Sequence, residues 1–128
     1  MKLGYVIYYV ESVEATVAFY EKAFGLERKF VHESGEYGEL LTGETTLSFA
    51  SLNMAEMNEI GFSGRAKGFK SADMEIGLVT SDVLAAHKKA VSAGAVEVKE
   101  PTQKPWGQTV SYVRDLNGFL IEICSPIG

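Results

Sequence analysis

The stretch that decides the fold is Leu3-Gly-Tyr-Val-Ile-Tyr-Tyr-Val-Glu-Ser-Val-Glu-Ala-Thr-Val-Ala-Phe-Tyr-Glu-Lys-Ala-Phe-Gly25. Its first part, residues 3–10, is β-branched and aromatic and too short for a helix, which predicts a buried strand. After a turn at Glu11-Ser12 the period changes. Val13, Val17, Tyr20 and Phe24 fall on one helical stripe, with Ser12 placed as N-cap and Gly25 as terminator. A strand running into an amphipathic helix is therefore expected.

Three further strands are expected at residues 26–32, 36–41 and 45–51, separated by the turn signals Ser34-Gly35 and Thr42-Gly43-Glu44. Residues 1–52 thus read as one β-α-β-β-β module. Residues 53–72, with glycine at 61, 64 and 68, read as a linker holding at most one helical turn, with Met54 and Met57 as packing residues. The opening pattern then returns as a strand from Met74 to Thr80, a cap at Ser81, a helix from Asp82 to Ala93 and a stop at Gly94. Val10, Ser12 and Gly25 recur as Val79, Ser81 and Gly94, a constant offset of 69 residues. Strands near 96–99, 108–113 and 119–124, the last two joined by the turn Asp115-Leu116-Asn117-Gly118, complete a second module over residues 73–128. Duplicated units of this size are each too small to bury their own apolar face. The expected fold is α+β, one domain of two paired β-α-β-β-β modules forming a curved mixed sheet around a cavity. That concave space is where a ligand is expected. Whether the modules pair within a chain or exchange between two chains is left open.

The chain has 128 residues with 46% hydrophobic and 23% charged residues, a composition that supports a packed core. Its net charge is −5, and no basic run could neutralise a row of phosphates, so nucleic acid is not an expected partner. No apolar stretch approaches the ~18–20 residues that span a bilayer, and the opening Met1-Lys2-Leu3-Gly4-Tyr5 lacks signal-peptide character. A cytoplasmic location without membrane association is expected. The lone Cys124 excludes an intrachain disulfide and any multi-cysteine metal cluster.

Side chains alternate across a strand, so each strand divides into a helix-facing and a cavity-facing set. Phe119, Ile121 and Ile123 form the apolar set of the last strand, which leaves Glu122 on the cavity side with Leu120 and Cys124. Ile76 and Leu78 face the helix, placing Glu75 beside Gly77 and Val79. In the fourth strand Leu47 and Phe49 face the helix and Thr46, Ser48 and Ala50 the cavity; matching the first strand to its repeat adds Tyr5, Ile7 and Tyr9. A carboxylate in such apolar surroundings can act as a general base, the catalytic role read for Glu122. Tyr5, Ile7, Ser48 and Glu75 are the expected ligand-binding residues of the wall. Trp106 is placed to stack on a flat or cationic ligand, and Gln108 to supply a hydrogen bond. His87 lies on the helix stripe and reads as a packed residue, His32 as a surface residue and Cys124 as a small buried hydrophobe. No phosphate-binding loop, nucleotide fingerprint or nucleophile elbow is present.

The duplicated β-α-β-β-β pattern, the segment Glu14-Ala-Thr-Val-Ala-Phe-Tyr-Glu-Lys-Ala-Phe-Gly-Leu26 and the late Arg114-Asp-Leu-Asn-Gly-Phe-Leu-Ile-Glu122 together resemble the vicinal oxygen chelate superfamily. Its members include glyoxalase I, bleomycin-resistance proteins and extradiol dioxygenases. The resemblance covers essentially the whole chain. It implies paired modules, assembly as a homodimer, and in catalytic members a divalent metal held from the first, fourth, fifth and eighth strands. Those four places hold Tyr5, Ser48, Glu75 and Glu122 here, and only Glu122 matches the usual ligand type. Zn²⁺, Ni²⁺ or Fe²⁺ sites call for an imidazole-rich set, so no metal or other cofactor is expected beyond a weakly bound divalent ion. The expected function is that of a glyoxalase/bleomycin-resistance-like small-molecule-binding protein that sequesters an aromatic or cationic compound. The alternative is a lactoylglutathione-lyase-like isomerase or lyase using Glu122 as base with a weakly bound metal.

Overall fold

A computed structural model describes residues 1–59 and 74–127, and the chain divides into two compact units, residues 1–65 and 66–128. The first unit runs β1 (Tyr5–Val10), α1 (Val13–Phe24), β2 (Glu27–Val31), β3 (Tyr37–Leu41), β4 (Thr46–Ser51) and α2 (Leu52–Met57). Its sheet has the order β1-β4-β3-β2, with β1 parallel to β4 and the other pairs antiparallel. α1 begins where the sequence signals it. Ser12 Oγ accepts the Ala15 N–H at 3.2 Å, and Gly25 closes the helix in the left-handed region at φ 67°.

The stripe that α1 buries includes Val13, Val17 and Tyr20. Tyr20 packs on Phe49 of β4 with ring centroids 4.9 Å apart, and both are fully buried. Tyr8, Val10, Leu40 and Leu47 complete this side of the sheet. Gly38 lets the helix sit close, because an added Cβ there would meet Val13 Cγ1 at 3.1 Å and Val31 Cγ2 at 3.2 Å. Arg28 reaches across from β2 to Glu14 and Glu21 of α1, each within 2.9 Å. Only α2 departs from the expected order. It occupies the start of the interval read as linker, with Met54 half-buried and Met57 exposed; the glycines at 61, 64 and 68 lie outside the described residues.

The second unit runs β5 (Ile76–Val79), α3 (Val83–Ser92), β6 (Val96–Gln103), β7 (Thr109–Arg114) and β8 (Leu120–Cys124), with sheet order β5-β8-β7-β6. β5 is parallel to β8, and the remaining pairs are antiparallel. Two features differ from the sequence reading. The N-cap of α3 is Asp82, whose Oδ1 accepts the Ala85 N–H at 3.1 Å, rather than Ser81. α3 therefore begins at Val83 where α1 begins at Val13, and the repeat offset is 70 residues at this point. β6 also extends to Gln103 because register shifts between Glu97 and Lys99, and between Lys99 and Thr102, carry it past Pro101. An edge strand tolerates a proline that a central one would not.

Asp115 closes the β7–β8 turn as expected, its Oδ1 accepting the Asn117 and Phe119 N–H groups at 2.8 and 2.9 Å. His87 is buried under α3 and its Nε2 lies 2.6 Å from Glu97 Oε2, which fastens the helix to β6. His32 is exposed and bonds locally to Ser34 in the turn after β2. Among the described residues, no helix is long and apolar enough to cross a membrane.

Candidate functional site

Each sheet has one face under its helix, and strand registers define the other, open face. In the first unit Tyr5, Ile7 and Tyr9 of β1 stand beside Thr46, Ser48 and Ala50 of β4, and Glu39 and Tyr37 of β3 flank Ser48 and Ala50. The parity read for Tyr5, Ile7 and Tyr9 is the one observed: Tyr8 and Val10 are buried, whereas Tyr5 and Ile7 are 56% and 43% exposed. Ser48 is fully buried at the centre of this face. Beside it, the Tyr37 hydroxyl donates to Glu39 Oε2 at 2.8 Å, and Lys29 Nζ lies 3.5 Å from Glu39 Oε1. A buried carboxylate needs such partners. Burial pushes the Tyr37 phenol up, the Ser48 hydroxyl acts against that, and Glu39 adds to it.

The second unit carries its chemistry at the corresponding positions. Gly77 of β5, Glu122 of β8 and Tyr112 of β7 lie in one row across the open face. Leu120 and Arg114 form the next row, with Glu75 just ahead of β5 on the far side of Leu120; Val79, Cys124 and Val110 form the row on the other side. The Tyr112 hydroxyl donates to Glu122 Oε1 at 2.9 Å. The other oxygen, Oε2, lies over Gly77, 3.5 Å from where a Cβ would stand.

Proton affinities follow from this layout. Burial and then the Glu122 charge raise the pKa of Glu75 above its ordinary carboxylate range. Burial and the hydrogen bond to Glu122 push the Tyr112 phenol up to about 12. Cys124 is pushed up to about 11, first by burial and then by Glu122, which makes it an inert thiol. It is buried, as its sequence reading had it.

Trp106 and Gln108 stand elsewhere on the same unit. Both belong to the β6–β7 turn, where Lys104 N–H donates to Gln108 O at 2.7 Å. Trp106 is 65% exposed and its Nε1–H donates to Gln108 Oε1 at 2.9 Å, while Gln108 Nε2 donates to the Ser125 carbonyl at 2.7 Å. Both ends of the Gln108 amide are thereby engaged, and its role is to hold the indole. Gln108 is four residues from Tyr112, roughly 13 Å along an extended strand. The structure therefore brings Glu75 and Glu122 together and sets Trp106 and Gln108 at one end of the strand. Gly77 lies on the face where the sequence placed it, whereas Tyr112 and Arg114 were missed. The only available signal was that even-numbered β7 residues share the face of Glu122, and its value depends on register.

The metal implied by the superfamily resemblance can be tested against these donors. Glu122 has one oxygen engaged by Tyr112, and Glu75 is the neighbouring carboxylate. Among the described residues no group of three or more His, Cys, Asp or Glu side chains stands close enough to hold an ion. Two carboxylates without imidazole do not fit a Zn²⁺, Ni²⁺ or Fe²⁺ centre.

Solved structures of similar fold support the assignment of the architecture. A glyoxalase-related enzyme from Fulvimarina pelagi superposes with a TM-score of 0.83 at 18% identity, covering 98% of this chain and 88% of that one. A glyoxalase/bleomycin resistance protein/dioxygenase family enzyme from Burkholderia phytofirmans PsJN gives 0.83 at 20% identity and 98% of both chains. TioX from Micromonospora sp. ML1 gives 0.74 at 20% identity, again over 98% of both chains. No curated protein matches the sequence. The family model of the Glyoxalase/Bleomycin resistance protein/Dioxygenase superfamily matches residues 2–123, nearly the full length of the fold just described, and the chain belongs to that superfamily.

Proposed function

We propose that the chain binds a small organic molecule carrying a cationic group on the open face of its second unit, without a resident metal. The carrying observation is the Glu122 carboxylate. One of its oxygens is fixed by Tyr112 and the other lies over Gly77, with Glu75 close enough that the Glu122 charge adds to burial in raising the proton affinity of Glu75. A cationic ligand group relieves that repulsion, which a neutral one does not. Tyr112 orients the anchor. Trp106, held by Gln108, offers an aromatic surface to a ligand long enough to span the roughly 13 Å of strand between them. In the first unit Tyr5 and Ile7 present an apolar surface suited to ligand contact.

The test is calorimetric titration of the intact protein with planar amines, followed by Glu122→Gln and Trp106→Ala. Saturable binding that weakens at least about tenfold in Glu122→Gln is expected, since a charge-assisted contact is worth about 1.5–3 kcal/mol. Binding indifferent to Glu122 overturns the reading. Mass spectrometry after incubation with Ni²⁺, Zn²⁺, Mn²⁺ and Fe²⁺ should find no stoichiometric metal.

The Glu122 carboxylate, oriented by Tyr112, also favours a second reading, proton abstraction next to a carbonyl by Glu122. Exchange of solvent deuterium into α-hydroxycarbonyl compounds, abolished in Glu122→Gln, distinguishes it from binding alone.

A further inference from the structure

Arg114 is the last residue of β7 and shares the open face with Tyr112, two residues earlier. It is half-buried, and its Nε is buried with no hydrogen-bond partner. Among the described residues it makes no ion pair. The neighbouring acidic groups are engaged elsewhere: Asp115 in the β7–β8 turn, Glu97 with His87, and Glu122, diagonal to Arg114 on the same face, with Tyr112. A buried guanidinium N–H without an acceptor is costly, and native structures rarely leave one so. Leu120 lies directly opposite Arg114 on β8, and Glu75 lies beyond Leu120. At about 4.8 Å per strand, the backbones of Arg114 and Glu75 are about 10 Å apart, with an apolar residue between them. One end of the face thus offers an unpaired cation and two like-charged carboxylates around a leucine floor.

Resting on the proposed function, we infer that Arg114 is the specificity-determining residue of this face and that the ligand is zwitterionic. Its carboxylate, or an equivalent planar anion, meets Arg114, and its cationic group meets Glu75 and Glu122. A guanidinium fork donates two parallel hydrogen bonds to a carboxylate, a match in shape and charge that an amide or a hydroxyl does not offer. Neither a simple amine nor a simple carboxylate satisfies both ends.

Tryptamine, indole-3-propionate and tryptophan share one ring and differ in charge, and their affinities for the intact protein form the test. Tryptophan should bind about tenfold tighter than either of the others. Arg114→Gln should erase that advantage without weakening tryptamine binding, since it removes a cation from a face that holds the amine, and Arg114→Lys should restore part of it. Tryptamine binding as tightly as tryptophan overturns the role of Arg114 and leaves the proposed function standing. Indole-3-propionate binding as tightly as tryptophan removes the carboxylates from recognition and overturns both. If none of the three binds, the open face is not a site for such ligands and both readings fall. Should the variants not fold, the ratio measured on the intact protein decides.

Discussion

Glu75 and Glu122 show how a single side chain can be located from sequence alone. Parity is a binary choice, and the apolar residues Ile76, Leu78, Ile121 and Ile123 fix it for both strands. What parity cannot supply is the neighbour across the sheet. Tyr112 reaches Glu122 only because β7 and β8 pair in one particular register, and a slip of one residue would turn it to the helix side. The pair has consequences for pH. The folded pKa of Glu75 lies above its ordinary 4.5, so the folded state binds the proton more tightly than the unfolded chain. Ionisation then costs stability as pH rises through and above that value, and the cost is absent below it. Glu75→Gln should therefore stabilise the protein at pH 7, by no more than about 1 kcal/mol because the side chain is exposed and screened. Urea unfolding should show the difference vanish at about pH 3, well below the ordinary value, where both states are protonated; a gain of equal size at both pH values contradicts the coupling. Tyr112 gives the alkaline counterpart. With its phenol pushed up to about 12, it should be among the last tyrosines to ionise, and Tyr112→Phe should remove that late step from the phenolate absorbance titration. It should also lessen the loss of stability above pH 10, the ordinary value, where the unfolded phenol gives up its proton first.

Helices and tight turns were legible at the scale of elements because their signals are local. Ser12 and Gly25 bound α1 by direct contact with its ends, and Asp115 and Gly118 specify a turn within four residues. Where two local signals competed, the sequence did not decide between them. Ser81 and Asp82 are both good caps, and the carboxylate took the position, setting the second helix one residue later than the repeat implied. The end of β6 was missed for a different reason. Pro101 is a breaker in a central strand but not on a sheet edge, and edge position is a property of topology. The β7–β8 turn invites a direct measurement. Asp115 is buried and its Oδ1 accepts two backbone N–H groups, so Asp115→Ala leaves both donors without that acceptor. A loss of about 2–3 kcal/mol in chemical denaturation is expected. A change below about 0.5 kcal/mol, the size of an ordinary surface substitution, would show that solvent satisfies them equally well.

Over the whole molecule the two units repeat the same backbone and differ in what their open faces carry. At matching positions the first holds Ile7, Ser48 and Glu39 where the second holds Gly77, Glu122 and Tyr112, and Tyr5 corresponds to Glu75. Glu39 is paired with Lys29 and Tyr37, whereas among the described residues Glu122 has the Tyr112 phenol and the Cys124 thiol beside it and no ion pair. Tyr5, Ile7, Phe30 and Leu41 stand exposed on the open face of the first unit, and the second carries Glu75, Glu122 and Arg114 on its own. Duplication supplied two equivalent scaffolds, and under the proposed function recognition falls to the second of them. Each unit has about half the chain, a size at which a domain buries only about 60% of the surface its unfolded chain exposes and is marginally stable. The separated halves should therefore both be weakly stable but behave differently. A peptide of residues 1–65 should enhance the fluorescence of a hydrophobic dye and self-associate in gel filtration, because Tyr5, Ile7, Phe30 and Leu41 are exposed on its sheet and its carboxylate Glu39 is paired with Lys29. A peptide of residues 66–128 should do so less, since Glu75, Arg114 and Glu122 interrupt its face. The reverse ranking would mean that the exposed apolar face does not govern association, and that the asymmetry argued from the registers has no consequence for the chain in solution.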